Sequence, residues 1–233
     1  MIRQLAEPDL SLVPALQALP PEALGRLAAL GRLYYLEPGE VLLHQGDLIH
    51  SFYIVLNGGV RLVEYTGGGQ SVSLKIYGPG DLFGLLAISG SYPHPTQIEA
   101  IHYSEIAAIP GAETRRLMRE CPDLALVVLD LLTAHVHHAH HRIREMATER
   151  VDRRLARTLL HLSAKFGVES DGVLSIDVPL TQRDLAEFAG TTVETINRAL
   201  KLWSRRGIVR CGHKHLDVLD RPALAAIAEG AEL

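Results

Sequence analysis

The spacing of apolar residues changes three times along the chain, and each change predicts a different architecture. Up to Gly31 the spacing is helical. Leu12, Leu16 and Leu19 share one face, and Pro20-Pro21-Glu22 opens a second segment that brings Leu24, Leu27 and Leu30 together. Proline at a helix start costs little, because the N–H it lacks has no partner there. From Leu33 to Ile109 the helical period disappears. Turn signals at Pro38-Gly39, Gly46-Asp47, Asn57-Gly58, Gly67-Gly68-Gly69 and Gly78-Pro79-Gly80-Asp81 recur roughly every eight to eleven residues, the rhythm of short antiparallel strands. Between them lie Phe52-Tyr53-Ile54-Val55-Leu56, a run around Val60 and Leu62, and Val72, Leu74 and Ile76 alternating with Ser71, Ser73 and Lys75. Two more strands are expected over 98–103 and 105–109. The pattern predicts a small all-β barrel or roll.

Beyond Glu113 the period turns helical again. One long helix is expected from about Pro122 to about Arg150, without glycine or a later proline. Leu129, Leu132, Val136, Ala139, Ile143 and Met146 step along it by alternating threes and fours. That is a heptad seam, which a lone surface helix does not need, and it predicts a parallel two-helix dimer. The last third reads helix, strand, helix, helix, strand, strand. Leu155, Leu159, Leu160 and Leu162 mark the first helix, and Gly167 with Glu169-Ser170-Asp171-Gly172 ends it. A short strand is expected over 173–178. Thr181 caps the next helix, with Asp184 near its positive end. Ala189-Gly190-Thr191 breaks it, Thr192 caps the following helix, and Gly207 closes that one. Ile208-Val209 and 216–219 form a hairpin around Gly212. Two short helices joined by a glycine turn, then a hairpin, make a winged helix-turn-helix. The fold class is therefore α+β, with 1–112 as N-terminal helices and roll, 113–150 as the dimerisation helix and 151–233 as the winged domain.

Composition sharpens this picture. The 233 residues are 47% hydrophobic, enough for a packed core, and the two cysteines, Cys121 and Cys211, are too few for a disulfide framework. The opening residues lack the apolar core of a signal peptide, and the run Leu124–Leu132 is too short to cross a bilayer, so a cytoplasmic protein without membrane contact is expected. Net charge is −4, which argues against nucleic acid until its distribution is considered. Residues 150–221 hold 13 Lys and Arg against 9 Asp and Glu, whereas the remainder holds 10 against 18. An acidic body carrying a basic C-terminal third suggests an attached nucleic-acid-binding domain.

The order of these elements, and the motifs in them, resemble the CRP/FNR family, bacterial regulators related to the cAMP receptor protein and the fumarate–nitrate regulator. The resemblance rests on Pro38-Gly39-Glu40, Gln45-Gly46-Asp47, Tyr53-Ile54-Val55, Asn57-Gly58-Gly59-Val60 and Gly80-Asp81-Leu82-Phe83-Gly84. It continues in Leu180-Thr181-Gln182-Arg183-Asp184-Leu185-Ala186 and Thr192-Val193-Glu194-Thr195-Ile196-Asn197-Arg198. It implies an effector-sensing β-roll of the jelly-roll (double-stranded β-helix) type, a long dimerisation helix and a winged helix that reads a palindromic operator in double-stranded DNA, with RNA polymerase as a further partner. Val193, Glu194, Asn197 and Arg198 are the implied base contacts. Arg198 suits a guanine edge, Glu194 a cytosine amine and Val193 a thymine methyl. The Glu194–Arg198 pair resembles the family's reading of a TGA core and implies TTGA-like half-sites; Val193-Glu194-Thr195-Ile196 is closer to the FNR branch, from which Asn197 departs. Thr181, Gln182, Thr192, Lys201, Arg205 and Lys214 are the implied phosphate contacts.

The departures decide which effector is expected. Cyclic-AMP-binding relatives place a Glu after the Gly-Asp-x-x-Gly turn and an Arg-Ser pair at the phosphate. Here those positions hold Leu85 and His94-Pro95-Thr96. Proline offers neither a cation nor an N–H to a cyclic phosphate, so cAMP is not expected. An iron–sulfur cluster held by N-terminal cysteines is excluded, because no cysteine precedes Cys121. The expected effector pocket uses Leu74, Ile76, Leu85, Leu86 and His140, and its apolar character points to haem, a small apolar or aromatic ligand, or no ligand. Haem would make the chain a gas or redox sensor of the same fold.

Five histidines fall within His135–His141. In a parallel coil His135 and His140 occupy facing flank positions of opposite chains, a candidate metal or proton site, and His137 and His141 are one turn apart. The alternative is a solvated polar face. His135-Val136-His137 also resembles a metallohydrolase motif. Such a motif sits on a loop beside an activating Asp, whereas here it interrupts a heptad helix, so no enzyme is expected. Cys211 lies beside His213 and His215 without an identifiable fourth ligand.

Overall fold

The computed structural model describes residues 2–65, 71–170, 173–176, 178, 181–212 and 215–231, with the backbone alone at 71–74 and 142. The chain divides into two compact units, residues 1–71 with 75–139 and residues 72–74 with 140–233.

The first unit opens with strand β1 (Ile2–Gln4), helix α1 (Glu7–Ser11), a 3-10 turn at Pro14–Leu16 and helix α2 (Pro21–Leu30). The opening corrects the expected helix through Leu12. Pro14 lacks an N–H and clashes with the preceding turn, so the helix ends early. Leu10 becomes the core residue, and Leu12 is 83% exposed. The strands follow as β2 (Arg32–Leu36), β3 (Val41–Leu43), β4 (Leu48–Ile49), β5 (Ser51–Asn57), β6 (Val60–Tyr65), β7 (Ser71–Tyr77), β8 (Leu82–Phe83), β9 (Tyr92–Pro93), β10 (Gln97–Ala100) and β11 (Ser104–Pro110), with a 3-10 turn at Leu85–Ile88. They form sheets in the orders β1-β2-β11-β5-β8, β3-β10-β6-β7 and β4-β9. The expected strand over 98–103 is shorter than read. The Gly67-Gly68-Gly69 turn lies outside the described residues.

Successive side chains in a strand face opposite ways, and β5 uses both faces. Phe52 and Ile54 join the cluster under α1 and α2, while Tyr53 and Val55 join the roll interior with Val60, Ile98 and Ile106. Gly84 closes the turn after β8 at φ +74°, where a Cβ would lie 2.7 Å from the Ile49 side chain. Helices α3 (Gly111–Glu120) and α4 (Pro122–Thr148) complete the unit. Leu124, Val127 and Val128 of α4 are buried against the first cluster. The seam positions are not: Leu129 is 58%, Val136 51% and Ile143 66% exposed.

The second unit contains α5 (Val151–Phe166), β12 (Gly167–Ser170), β13 (Val173–Ile176), α6 (Gln182–Ala189), α7 (Val193–Arg205), β14 (Val209–Cys211), β15 (Leu216–Val218) and α8 (Arg221–Glu229). Its sheet runs β12-β13-β15-β14, all antiparallel. Two elements correct the sequence reading. Residues 167–170 are an edge strand rather than the end of a helix. A further helix, α8, follows the hairpin, with Asp220 accepting from the Ala223 N–H at 2.9 Å and Pro222 in the first turn. Leu155 and Leu159 of α5, Ile196 and Trp203 of α7 and Leu224 of α8 form the core, each fully buried.

Candidate nucleic-acid interface

Two capped helices and a left-handed turn position the candidate interface. Thr181 and Asp184 form a reciprocal capping box at α6: the Asp184 N–H donates to Thr181 Oγ1 at 3.1 Å, and the Thr181 N–H donates to Asp184 Oδ2 at 2.8 Å. Gly190 ends α6 at φ +63°, a conformation open to glycine. Thr192 caps α7 by accepting from the Thr195 N–H at 3.3 Å. On α7 the apolar stripe Ile196, Ala199, Leu200 and Trp203 faces the core. That orientation turns the opposite face outward, where Val193, Glu194, Asn197, Arg198, Lys201, Leu202 and Arg205 line one open depression.

The electrostatics of this face are distinctive. Among the described residues Glu194, Asn197, Arg198, Lys201 and Arg205 make no hydrogen bond or ion pair within the chain. Several cations elsewhere in the unit are engaged. Arg154 donates to Glu149 O at 2.5 Å, Ala189 O at 2.7 Å and Gly190 O at 3.2 Å. Arg153 donates to Glu229 O, and Arg157 to Glu145, Glu149 and Ala228 O. Arg183 pairs with Glu187, and Arg210 with Asp217. A polar face held open on a rigid helix can donate and accept at the edges of bases.

The structure therefore brings Val193, Glu194, Asn197 and Arg198 together as the sequence suggests, with Lys201 and Arg205 beyond them. Gln182 and Thr192 stand exposed at the two helix starts. Thr181 is also exposed, at the start of α6. Its hydroxyl donates to Asp184 Oδ2 at 2.6 Å and accepts from the Asp184 N–H, so it is engaged inside the capping box. Lys214 and His213 lie outside the described residues. Burial and the Asp217 carboxylate raise the pKa of the Cys211 thiol.

The remaining candidate groups lie apart from this face. Ile76 is buried, Leu85 is half-buried against the first core cluster, and Leu86 is 63% exposed rather than buried as a pocket wall would be. The Leu74 side chain lies outside what is described, and His140 is exposed on α4. Burial, Lys75 of β7 and His138 all push the His135 pKa down. His141 turns to Glu145, with Nδ1 3.1 Å from Oε1. At the phosphate positions of the roll, His94 Nδ1 lies 2.6 Å from Thr96 O and 3.3 Å from Thr96 Oγ1, and Thr96 is buried.

Sequence reasoning misses Glu145, Glu149, Arg154 and Arg157, which hold the end of α4 to the rest of the second unit. Only the placement of Glu145 and Glu149 at one-turn spacing hints at them.

Comparison with known proteins agrees with this division. Residues 34–121 match the model of the cyclic nucleotide-binding domain, and residues 153–227 match that of the Crp-like helix-turn-helix domain. The chain is 30% identical to the cyclic AMP receptor protein of Thermus thermophilus over 199 residues, 85% of this chain and 88% of that protein. It is 25% identical to the transcriptional activator protein FnrA of Stutzerimonas stutzeri, covering 84% of this chain and 80% of the relative. The crystal structure of a CRP/FNR-family transcriptional regulator from Thermus thermophilus superposes with a TM-score of 0.70 at 28% identity, covering 86% of this chain and all of the other.

Proposed function

This chain belongs to the CRP/FNR family of DNA-binding transcription regulators, which are not enzymes, and from that premise we propose that it acts as a homodimer on a palindromic operator with TTGA-like half-sites. The open face of α7 is the observation that carries the proposal. It presents Val193, Glu194, Asn197 and Arg198 at the N-terminal end, the end that enters the major groove, and Lys201 and Arg205 toward the flanking phosphates. A two-fold dimer places two such helices about one helical turn of DNA apart. The exposed row Leu129, Leu132, Val136, Ala139, Ile143 and Met146 on α4 supplies the dimer surface. RNA polymerase is the partner through which a bound dimer acts on transcription.

The effector is an apolar or aromatic molecule rather than a cyclic nucleotide, and it acts by shifting the population of the DNA-competent state. One relative is named a cyclic AMP receptor protein. In this chain Leu85 and the internally bonded His94-Pro95-Thr96 segment support a different ligand. The visible spectrum and metal content of the purified protein test this directly: a Soret band would replace the apolar molecule with haem.

Among the described residues no helix is long and apolar enough to cross a membrane. Two experiments test the central reading. Selection from random DNA should return inverted repeats anchored by a G·C pair; operators without that pair would refute the assignment of α7. Val136→Asp sets two carboxylates against each other in the seam and should dissociate the dimer in sedimentation, with loss of cooperative operator binding. An unchanged dimer would refute the seam.

A further inference from the structure

We propose that Arg157 is a positioning residue that locks the last two turns of α4 onto the helix-turn-helix, so that the state of the seam is delivered to α7. The proposal rests on the reading of α4 as a dimer seam and goes beyond it by naming the part that couples seam to DNA.

Arg157 projects from α5 and engages the end of α4 and α8 at once. Its Nη1 bonds Glu145 Oε1 and lies 2.7 Å from Glu149 Oε2. Its Nη2 donates to Glu149 Oε1 and to Ala228 O of α8, each at 3.1 Å. Glu145 and Glu149 are one turn apart on α4, which puts both carboxylates on the same face. Their side chains are only 18% exposed. Burial works against the guanidinium charge, but the hydrogen bonds it donates to Glu145 and Glu149 outweigh this and raise the Arg157 pKa. A planar fork with five fixed donors can serve two carboxylates and a carbonyl bidentately, whereas lysine offers three donors on a single nitrogen. His141 shares the cluster, with Nδ1 3.1 Å from the same Glu145 oxygen.

The neighbouring contacts carry this clamp to the recognition helix. Glu149 is held twice, by its side chain through Arg157 and by its carbonyl through Arg154. Arg154 in turn holds the carbonyls of Ala189 and Gly190, the turn that leads into α7. Met146, the last seam position, lies against that turn: a Cβ on Gly190 would meet Met146 Cε at 3.0 Å. A seam residue, two arginines and the turn before α7 thus form one contiguous set. None of these groups lies on the open face of α7, so their effect on DNA passes through position rather than contact.

The test uses the full-length dimer and a double-mutant cycle between Arg157→Ala and the mild seam change Ile143→Ala. Affinity is measured for the selected operator and for random-sequence DNA. Arg157→Ala should weaken operator binding about fivefold or more, the range of ordinary coupling between sites. Binding to random DNA, set by phosphates, should stay within about twofold. In the Arg157→Ala background the effect of Ile143→Ala on operator affinity should shrink, and the two changes should not be additive. Arg157→Lys should recover operator affinity only in part. Wild-type operator affinity in Arg157→Ala, or strict additivity with Ile143→Ala, would overturn the proposal. If Arg157→Ala fails to fold by circular dichroism, Glu149→Gln takes its place in the cycle under the same two criteria. A wild-type chain that is monomeric, or whose operator binding ignores Ile143→Ala, refutes the seam itself. A wild-type dimer in which Ile143→Ala acts equally in both backgrounds refutes the role of Arg157 alone.

Discussion

Helix α5 turns Arg153, Arg154 and Arg157 onto carbonyls and carboxylates of its own unit, whereas α7 leaves Arg198, Lys201 and Arg205 without a partner among the described residues. The difference follows from what each helix packs against. The α5 arginines reach the last carbonyls of three helices: Glu149 beyond α4, Ala189 and Gly190 at α6, and Ala228 and Glu229 at α8. Those carbonyls lack partners within their helices and sit at negative dipole ends, so cations there cap and stabilise. The cations of α7 flank an apolar stripe that faces the core, and they meet only solvent. A basic composition therefore does not measure DNA affinity; only cations left open by the fold contribute to it. If this contrast holds, removing the carbonyl-capping Arg154 of α5 should cost stability, whereas removing a cation of α7 should cost contact with DNA.

The largest effect is expected from Arg154→Ala. It removes the donor from three carbonyls in a half-buried setting. Unsatisfied buried acceptors each carry a substantial desolvation penalty, so a loss of about 3 kcal/mol is expected. Urea unfolding should report it as a lower midpoint with an unchanged slope. Wild-type stability in this variant would break the contrast from the α5 side.

Arg198→Ala is the converse. Its side chain makes no hydrogen bond or ion pair among the described residues, so the unfolding midpoint should hardly move, within about 0.5 kcal/mol. Operator affinity should fall by about 1–3 kcal/mol at the G·C pair, with relaxed preference there. Binding to operators with that pair replaced distinguishes lost readout from lost charge. An Arg198→Ala protein with unaltered base preference would remove α7 from the major groove.

How much of this is legible in sequence depends on range. The caps at Thr181 and Thr192 and the turn at Gly190 are local, and residue type and spacing reveal them. The heptad and the strand rhythm are periodic, and they are equally visible. The engagement of Arg157 with Ala228 spans 71 residues, and that of Arg154 with Gly190 spans 36. Nothing in the composition of residues 150–221 separates those arginines from Arg198. Edge strands escape as well. In β1 every residue is exposed, and β12 is exposed beyond Gly167, so neither carries a burial pattern. Helix α8 does leave a signal, Asp220 with Pro222 at its start, which the preceding hairpin obscures.

The wing offers an intermediate case, because Arg210 is engaged although it lies on an exposed strand. Asp217 is almost completely buried and accepts from Ser175 Oγ at 2.5 Å and from Arg210 Nε at 2.8 Å. Burial raises its pKa, but the bonds from Ser175 and Arg210 outweigh this and hold the carboxyl below its ordinary value. A depressed folded-state pKa means the stabilisation is present above the unfolded value and is lost as pH falls through it toward the folded one. Asp217→Asn should therefore be less stable than wild type at pH 7 by about 1 kcal/mol, the scale of one charge-assisted bond. The gap should close in melts below about pH 4, where an ordinary Asp protonates. A gap constant down to about pH 3, below that ordinary value, would mean the charge on Asp217 does not matter.

Lys201→Ala sharpens the contrast most finely, because its expected effect appears only in salt. Lys201 is exposed and without a partner among the described residues, one turn beyond Asn197 on the open face. If it neutralises one phosphate per protomer, removing it from both halves of a dimer withholds two counterions from release. The slope of log K against log salt should then fall in magnitude by about 1.8, at roughly 0.9 per phosphate contact. Base preference in a selection should not change, because a point charge on a flexible stem reads position along the backbone and not sequence. The unfolding midpoint should match wild type, as for Arg198→Ala. Titrations of the selected operator and of random DNA across a salt series separate the outcomes. Equal loss on both DNAs with the flatter slope assigns Lys201 to phosphate. A change confined to the operator would assign it to a base edge, and the boundary between readout and backbone contact on α7 would then move one turn toward its C-terminus.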